Sequence, residues 1–320
     1  MLALKVPVVS VVMTVYNSAR TLSAAVDSVL AQSFQDLELI VCDDASMDAT
    51  ATILAAVADP RVRVIRNLIN LGPGPSRDEA IKIARGQWLA VIDADDVWRP
   101  KRLERLLQAV HDDCDQMVFD DLVLCHDGPS GLIPWKRLRG ARAFGGDGSG
   151  PIAVTAERFV MAERLLIKPL VPMSRVRRSG AKHGSRRFSE DTFFFLTLIC
   201  DGLAIAYVPE ALYLYRLTSG SLTSIPDRDR QMVSTLKEIQ STVPLPSELS
   251  SAFDNKICHV ERIITYRHVL SSFRGRAWRQ LLPQLFANPW VVKAFLVRGI
   301  QDIGRVTHKS LSAVAERFCH

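Results

Sequence analysis

Residues 6–96 constrain the fold most tightly, because the period of their apolar residues switches repeatedly between that of a buried strand and that of a helix. Val6–Val15 is a nearly continuous apolar run of strand length, of the kind buried on both faces of a parallel sheet. After a turn at Asn17-Ser18, Leu22, Val26, Val29/Leu30 and Phe34 recur at helical spacing. Leu37–Cys42 predicts a second strand ending in Asp43-Asp44. Ser46 is placed to cap the next helix, with Asp48 in its first turn and Ile53, Leu54 and Val57 on one face. Arg61–Ile65 predicts a third strand. A loop at Gly72-Pro73-Gly74-Pro75 leads to a helix over Ser76–Arg85, stopped by Gly86. Trp88–Ile92 predicts a fourth strand, ending in Asp93-Ala94-Asp95-Asp96.

This order predicts a doubly wound, mostly parallel sheet with right-handed crossovers. Such sheets bind ligands beyond the carboxyl ends of their strands. Those ends carry Tyr16-Asn17, Asp43-Asp44 and the trio Asp93, Asp95 and Asp96, so carboxylates gather on one sheet edge. No GxGxxG follows the first strand and no GxxxxGK[ST] occurs, which argues against a nicotinamide dehydrogenase and a P-loop NTPase.

The remainder of the 320 residues is organised differently. Seven of the 17 glycines fall between Gly128 and Gly150, beside Trp135, Lys136 and Arg137, which predicts a long functional loop. Residues 151–215 read as mixed α/β, with a helix-like apolar block over Phe188–Ile199 opened by Ser189-Glu190-Asp191. Helical text follows at Gln231–Gln240, Asn255–Phe273 and Trp290–Ile303. The expected division is a catalytic domain over 1–226, with halves meeting near 122/123, and a helical region over 227–320.

The net charge of +6 sits at one end. Residues 1–110 hold 12 basic and 13 acidic side chains and residues 111–254 hold 17 and 18, whereas residues 255–320 hold 11 and 3. In that last segment Arg274, Arg276, Arg279, Lys293 and Arg298 interleave with Phe273, Trp278, Phe286, Trp290 and Phe295, which suits an anionic membrane interface. A solvated basic cap explains the same text. No RNA-binding motif accompanies the charge, so no nucleic-acid partner is expected. No uncharged apolar run reaches 18 residues, so no spanning helix is expected. The six cysteines form no CxxC pair, which excludes a zinc knuckle and fits a reducing cytoplasm.

The candidate chemistry lies at the strand ends. Asp93 and Asp95, one residue apart, can face one hard divalent cation, Mg²⁺ or Mn²⁺, whose open positions substrate phosphates fill; Asp95-Asp96 can equally cap the helix after them. Asp44 can accept from a base or ribose, or close an Asx turn. Tyr16 offers a stacking face or a core ring. Arg77 can reach a phosphate or lie in solvent. Glu190 and Asp191, at a helix start, offer a general base or simple dipole compensation.

The order of these pieces resembles the family 2 glycosyltransferases, which share the GT-A nucleotide-diphospho-sugar transferase fold, a Rossmann-like α/β architecture. The matching text is Val9-Ser-Val-Val-Met-Thr-Val-Tyr-Asn17, Ser28-Val-Leu-Ala-Gln32-Ser-Phe, Glu38 through Asp43-Asp44-Ala-Ser46-Met-Asp48, Asn70-Leu-Gly72, Arg77, Ala84-Arg-Gly86, Asp93-Ala-Asp-Asp96, Pro100, Ser189-Glu190-Asp191, Tyr215-Arg216 and Gly220-Ser221. It covers about residues 8–224. The resemblance implies that Thr14, Val15, Tyr16, Asn17, Asp44, Arg77, Asp93 and Ala94 hold a nucleotide sugar, usually a UDP-sugar. It implies that Asp95 with Asp93 binds the metal and that Asp191 is the catalytic base. Asp96, Glu190, Arg216 and Trp135 are candidates for the acceptor or diphosphate side. Where the family usually has Ala-Arg-Asn, this chain has Ser76-Arg77-Asp78, and Pro73 and Pro75 stiffen the preceding loop. The QxxRW motif and flanking spans of processive synthases are missing, so one sugar is expected per acceptor.

The implied reaction is inverting transfer to a saccharide acceptor, polyprenyl-diphosphate-linked, in bacterial exopolysaccharide assembly of the succinoglycan type. The enzyme is expected in the cytoplasm, on the inner face of the cell membrane. The competing readings are a sugar-nucleotide nucleotidyltransferase, which would need a Gly-rich phosphate loop that Val9–Asn17 lacks, and a non-catalytic glycan-binding scaffold, which would have lost its carboxylates.

Overall fold

The computed structural model describes residues 6–111, 115–129, 131–138, 144–146, 150–162, 167–186, 189–218 and 228–274. The chain divides into two compact units, Met1–Phe159 with Leu165–Ile225, and Val160–Arg164 with Pro226–His320.

The first unit begins β1 (Val9–Val15), α1 (Leu22–Leu30), β2 (Leu37–Asp43), α2 (Thr50–Ala55), β3 (Val62–Arg66), α3 (Pro73–Lys82), β4 (Trp88–Asp93), β5 (Val97–Trp98) and α4 (Arg102–Gln108). It continues with β6 (Gln116–Gly128), β7 (Gly131–Arg137), β8 (Ile152–Val154), α5 (Ala156–Met161), β9 (Leu170–Pro172), α6 (Met173–Ser179), α7 (Glu190–Cys200) and β10 (Ala204–Arg216). The strands form one sheet in the order β3-β2-β1-β4-β9-β6-β10-β5, with β7 on β6 and β8 on β10. β3, β2, β1 and β4 are parallel, β9 runs antiparallel to both β4 and β6, and β10 is parallel to β6. The carboxyl ends of β1, β2, β4, β6 and β10 therefore share one edge of a mixed, mostly parallel sheet.

The apolar text of β1 and β2 follows from that position. Each lies between two neighbours, and Val11, Val12, Met13, Leu39, Ile40 and Val41 are wholly buried on both faces. Leu22, Ala25, Val26 and Val29 of α1 join Val11, Met13, Leu39 and Val41 in one core cluster.

Several expected boundaries move, for local reasons. α3 starts at Pro73 rather than Ser76, since proline at the first helical position loses no needed donor. α2 starts at Thr50 with Ala49 before it, so Ser46 is no cap; its hydroxyl accepts from the Asn17 amide at 3.0 Å. Asp48 precedes α2 and accepts from the Thr50 amide at 2.9 Å. Ser189 precedes α7 with φ 56° and makes no side-chain cap. Trp135, expected in a loop, lies on β7.

The second unit includes α8 (Arg228–Thr242) and α9 (Ser247–Arg274), which pack together. Lys237 pairs with Glu261 at 2.7 Å, and Gln240 donates to Asp254 at 2.9 Å. The expected helix at 290–303 and most of the basic segment 255–320 lie outside the described residues.

Candidate active site

A cavity of 570 Å³ opens at the carboxyl edge of the sheet, a size that admits a drug-sized or nucleotide ligand. Thr14, Tyr16 and Asn17 line it from the end of β1, Asp93, Ala94 and Asp95 from the end of β4, Pro73 and Arg77 from α3, and Glu190 from α7. Arg20, Tyr215 and Thr218 complete much of the wall.

The wall is rigid because the turns beneath it are tied to one another. The Asn17 side-chain oxygen accepts from the Met47 amide at 2.8 Å, and Ser18 donates its amide to the Thr50 hydroxyl at 2.8 Å. Asp44 does not line the cavity. Its buried carboxylate accepts from the amides of Leu71 and Gly72 at 2.9 and 2.8 Å and from Asn67 at 2.8 Å, which pins the loop leading to α3. Val15 is buried and its carbonyl accepts from the Asp44 amide. Tyr16, by contrast, is 49% exposed, so its ring is a face at the cavity and not a core aromatic.

Behind the wall lies an ionic network. Arg77, 1% exposed, pairs with Asp191, with Asp93 at 3.1 Å and with Glu190 at 3.5 Å. Lys168, 3% exposed, bridges Asp93 and Asp191 at 2.6 Å each. Burial alone would push both cations toward neutrality, but the facing carboxylates outweigh it and hold both firmly charged. In return, although burial opposes it, Arg77 and Lys168 keep the Asp191 carboxyl well below the usual carboxylate range. Glu190 shifts the other way, raised by burial and then by the charge of Asp191.

Asp95 differs from Asp93. Burial first, then the neighbouring Asp93 charge, pushes it up to about 6, and among the described residues it makes no ion pair. An unpaired carboxylate on the wall, beside a second one, fits a divalent cation. Among the described residues no three His, Cys, Asp or Glu side chains gather to hold a metal unaided. Mg²⁺ or Mn²⁺ would be held there by one or two carboxylates and completed by substrate phosphates.

Asp96 is fully buried and off the wall. It accepts from the Tyr213 hydroxyl at 2.7 Å and the Arg216 amide at 2.9 Å, and burial raises it well above the usual range. Its place in the fold is to anchor the turn that carries Asp95. The Arg216 side chain donates to the Asp95 carbonyl at 2.6 Å and pairs with Asp127, which also binds Arg20 at 2.6 Å. Trp135 is 62% exposed on the β6–β7 hairpin with its ring 5.4 Å from His126, outside the cavity lining. Asp191 is also outside the lining, with 19% of its side chain exposed, reached through Arg77 and Glu190.

Sequence reasoning missed Lys168 and His183. Neither sits in a periodic segment or a motif, and only the fold brings them to Asp191.

The sequence model of "Glycosyl transferase family 2" matches residues 10–146. "Glycosyltransferase GlyG" of Streptococcus pneumoniae is 32% identical, covering 67% of this chain and 72% of its own. The chain belongs to glycosyl transferase family 2. "Succinoglycan biosynthesis protein ExoO" of Rhizobium meliloti is 33% identical over 69% of this chain, and the match spans 64% of ExoO. "UDP-Glc:alpha-D-GlcNAc-diphosphoundecaprenol beta-1,3-glucosyltransferase WfgD" of Escherichia coli is 38% identical over 30% of this chain and 38% of its own. This family 2 glycosyltransferase thus spans less than two thirds of ExoO and of WfgD. In fold it is similar to S. aureus TarS 1-349, solved in complex with UDP-GlcNAc, at TM-score 0.61 and 17% identity, covering 92% and 77% of the two chains. It is also similar to the Pyrobaculum calidifontis mannosyltransferase PcManGT, solved with GDP-Man and Mn²⁺, at TM-score 0.63 and 14% identity, covering 97% and 86%. These likenesses agree with the GT-A architecture expected from the sequence. No helix among the described residues is long and apolar enough to cross a membrane.

Proposed function

We propose that this glycosyltransferase moves one sugar from a UDP-sugar to a saccharide acceptor, with inversion and with a divalent metal, in the assembly of a bacterial exopolysaccharide. The observation that carries the reading is the convergence of Tyr16, Asp93, Asp95, Arg77 and Glu190 on one cavity, with Asp191 directly behind Arg77. A bound Mg²⁺ or Mn²⁺, held by Asp95 and Asp93, supplies positive charge to the diphosphate of the departing nucleotide.

The chain's own residues do the rest. Tyr16 offers its exposed ring to the base, and Thr14, Asn17 and Ala94 shape the pocket for the rest of the donor. Arg77 adds fixed charge where negative charge develops on the leaving group. Asp191 takes the proton from the acceptor hydroxyl, whose oxygen attacks the anomeric carbon on the face opposite the diphosphate. Its ionised state, enforced by two buried cations, keeps it ready to accept. Trp135 and Arg216 are the candidates to meet the acceptor or the diphosphate.

The acceptor is a saccharide on a polyprenyl diphosphate, supported by the undecaprenol-linked substrate in the name of WfgD. The basic residues of 255–320 then hold the enzyme against the anionic inner face of the membrane. The experiment that tests the reaction is UDP release from UDP-glucose and UDP-GlcNAc by the full chain, with and without Mn²⁺ and a GlcNAc-diphospholipid acceptor. Release that needs both additions supports the transferase; release of pyrophosphate, or no turnover of any nucleotide sugar, would refute it.

A further inference from the structure

One buried group beside the base has no part in the reading above. His183 is wholly buried, between α6 and α7, with its ring stacked on Phe194 at 4.1 Å and 9°. Its Nδ1 lies 2.9 Å from Oδ1 of Asp78 on α3. The same carboxylate accepts the backbone amides of His183 and Gly184, each at 3.0 Å. Burial works to raise Asp78, but these donors win and hold it below the usual range, so it is an ionised acceptor. Nδ1 must therefore carry its hydrogen. In the neutral ring Nε2 then points a lone pair at Asp191 Oδ1, 3.4 Å away, and among the described residues it has no hydrogen-bond partner.

A bare imidazole nitrogen facing a carboxylate oxygen is one proton short of a strong interaction. The proton that Asp191 removes from the acceptor is the one that would supply it. Asp191 is a poor place for that proton to stay, because Arg77 and Lys168, and after them the His183 ring, favour its anion. Asp78 is in place as counterion for the imidazolium that would form. Asp78 is also where this chain departs from the asparagine usual in the family motif.

We propose that His183, oriented by Asp78, is a positioning residue for the base and takes over at Nε2 the proton that Asp191 removes from the acceptor hydroxyl. This rests on the reading of Asp191 as the base. The acceptor O–H bond breaks as its oxygen bonds to the anomeric carbon, and the bond from that carbon to the diphosphate breaks with its electron pair leaving on the nucleotide. The proton passes from Asp191 to Nε2, giving an imidazolium between Asp78 and Asp191, and goes to solvent after the products leave. The charged groups that face the ring are Asp78 from α3 and Asp191 from α7. Arg186 donates to the His183 carbonyl at 3.2 Å and lies over the Phe193 ring, while Arg77 and Lys168 pair with Asp191.

The test uses the full chain with UDP-GlcNAc or UDP-glucose, Mn²⁺ and a GlcNAc-diphospholipid, and measures kcat, donor KM and UDP affinity against pH. His183→Gln reaches Asp191 but cannot hold a proton, so kcat should fall about 100-fold with donor KM and UDP affinity unchanged. Its kcat profile should also lose the acid limb that Asp78→Asn displaces. Asp78→Asn keeps the hydrogen-bond acceptor but removes the counterion, so kcat should fall about tenfold and its acid limb move to lower pH. The shift is in that sense because a less stabilised imidazolium gives up its proton more readily.

Variants with wild-type kcat and pH profile overturn the relay. So does a loss of kcat matched by loss of UDP affinity while Asp78→Asn leaves the profile in place, the mark of a structural role. Asp78→Asn decides the matter if His183→Gln does not fold. Failure of the wild-type chain to release UDP removes the transferase reading itself; an active wild type with unaltered variants removes only the relay.

Discussion

Lys168 and Arg77 place two full charges beneath the cavity floor, where water cannot screen them. Both reach Asp93 and Asp191, so removing one leaves its carboxylates short of a partner in a buried setting. Lys168→Met should destabilise the protein by about 3–5 kcal/mol in urea unfolding, because an uncompensated buried charge costs more than the pair contributes. A loss below about 1 kcal/mol would show that the network is solvated. Asp95 obeys the opposite logic. Its raised value of about 6 means the ionised form burdens the metal-free fold above that pH, and the burden lifts as pH falls through it. Asp95→Asn should therefore raise Tm without metal most at pH 8, by progressively less as pH falls below about 6, and abolish metal-dependent UDP release. In the wild type, apparent Mn²⁺ affinity should fall steadily as pH drops below about 6, since the proton and the metal compete for one carboxylate. Affinity that is flat from pH 8 to 5 would remove Asp95 from the metal.

At the scale of elements, α3 is the part on which the site turns. It carries Arg77 and Asp78, and its first turn lies against the 183–184 loop: a Cβ on Gly74 would fall 2.1 Å from the Gly184 carbonyl oxygen. Backbone cannot yield as a side chain can, so Gly74→Ala should move α3 and lower both Tm and kcat, whereas Gly150→Ala, with nothing among the described residues within 4 Å, should leave both unchanged. Equal, small effects would show that α3 tolerates displacement. The β-α alternation of the first hundred residues was legible because β1, β2 and the middle of β4 are buried on both faces and α1 on one. The turns were less so. Pro73, Gly74 and Pro75 read as a loop by composition, yet they form the start of α3, because a helix's first turn has no use for the amides that proline lacks. Asp96 reads like Asp95, and only the path of β10, which brings Tyr213 and the Arg216 amide to it, separates an anchor from a ligand. Lys168 and His183 left no local pattern, since their partners are 23 and 8 residues away or more in other elements.

For the molecule as a whole, the charge division is the feature that outlasts the site. A body near neutrality carries the carboxylate-lined cavity, and residues 255–320 carry 11 basic against 3 acidic side chains. Replacing Arg276, Arg279, Lys293 and Arg298 by Glu should abolish co-sedimentation with phosphatidylglycerol vesicles and leave UDP affinity untouched; unchanged partitioning would assign the segment to packing alone. In the proposed reaction the donor site needs no such positive surface, because a metal on Asp95 and Asp93, with Arg77, would supply the charge at the diphosphate.

The proposed reaction is a single displacement at the anomeric carbon, with Asp191 as base on one side and the diphosphate leaving on the other. The direct measurement is the anomeric configuration of the product by proton NMR, from an α-linked UDP-sugar and a GlcNAc-diphospholipid acceptor. A β-linked product, lost in Asp191→Asn while UDP binding remains, is the predicted result. An α-linked product would contradict it.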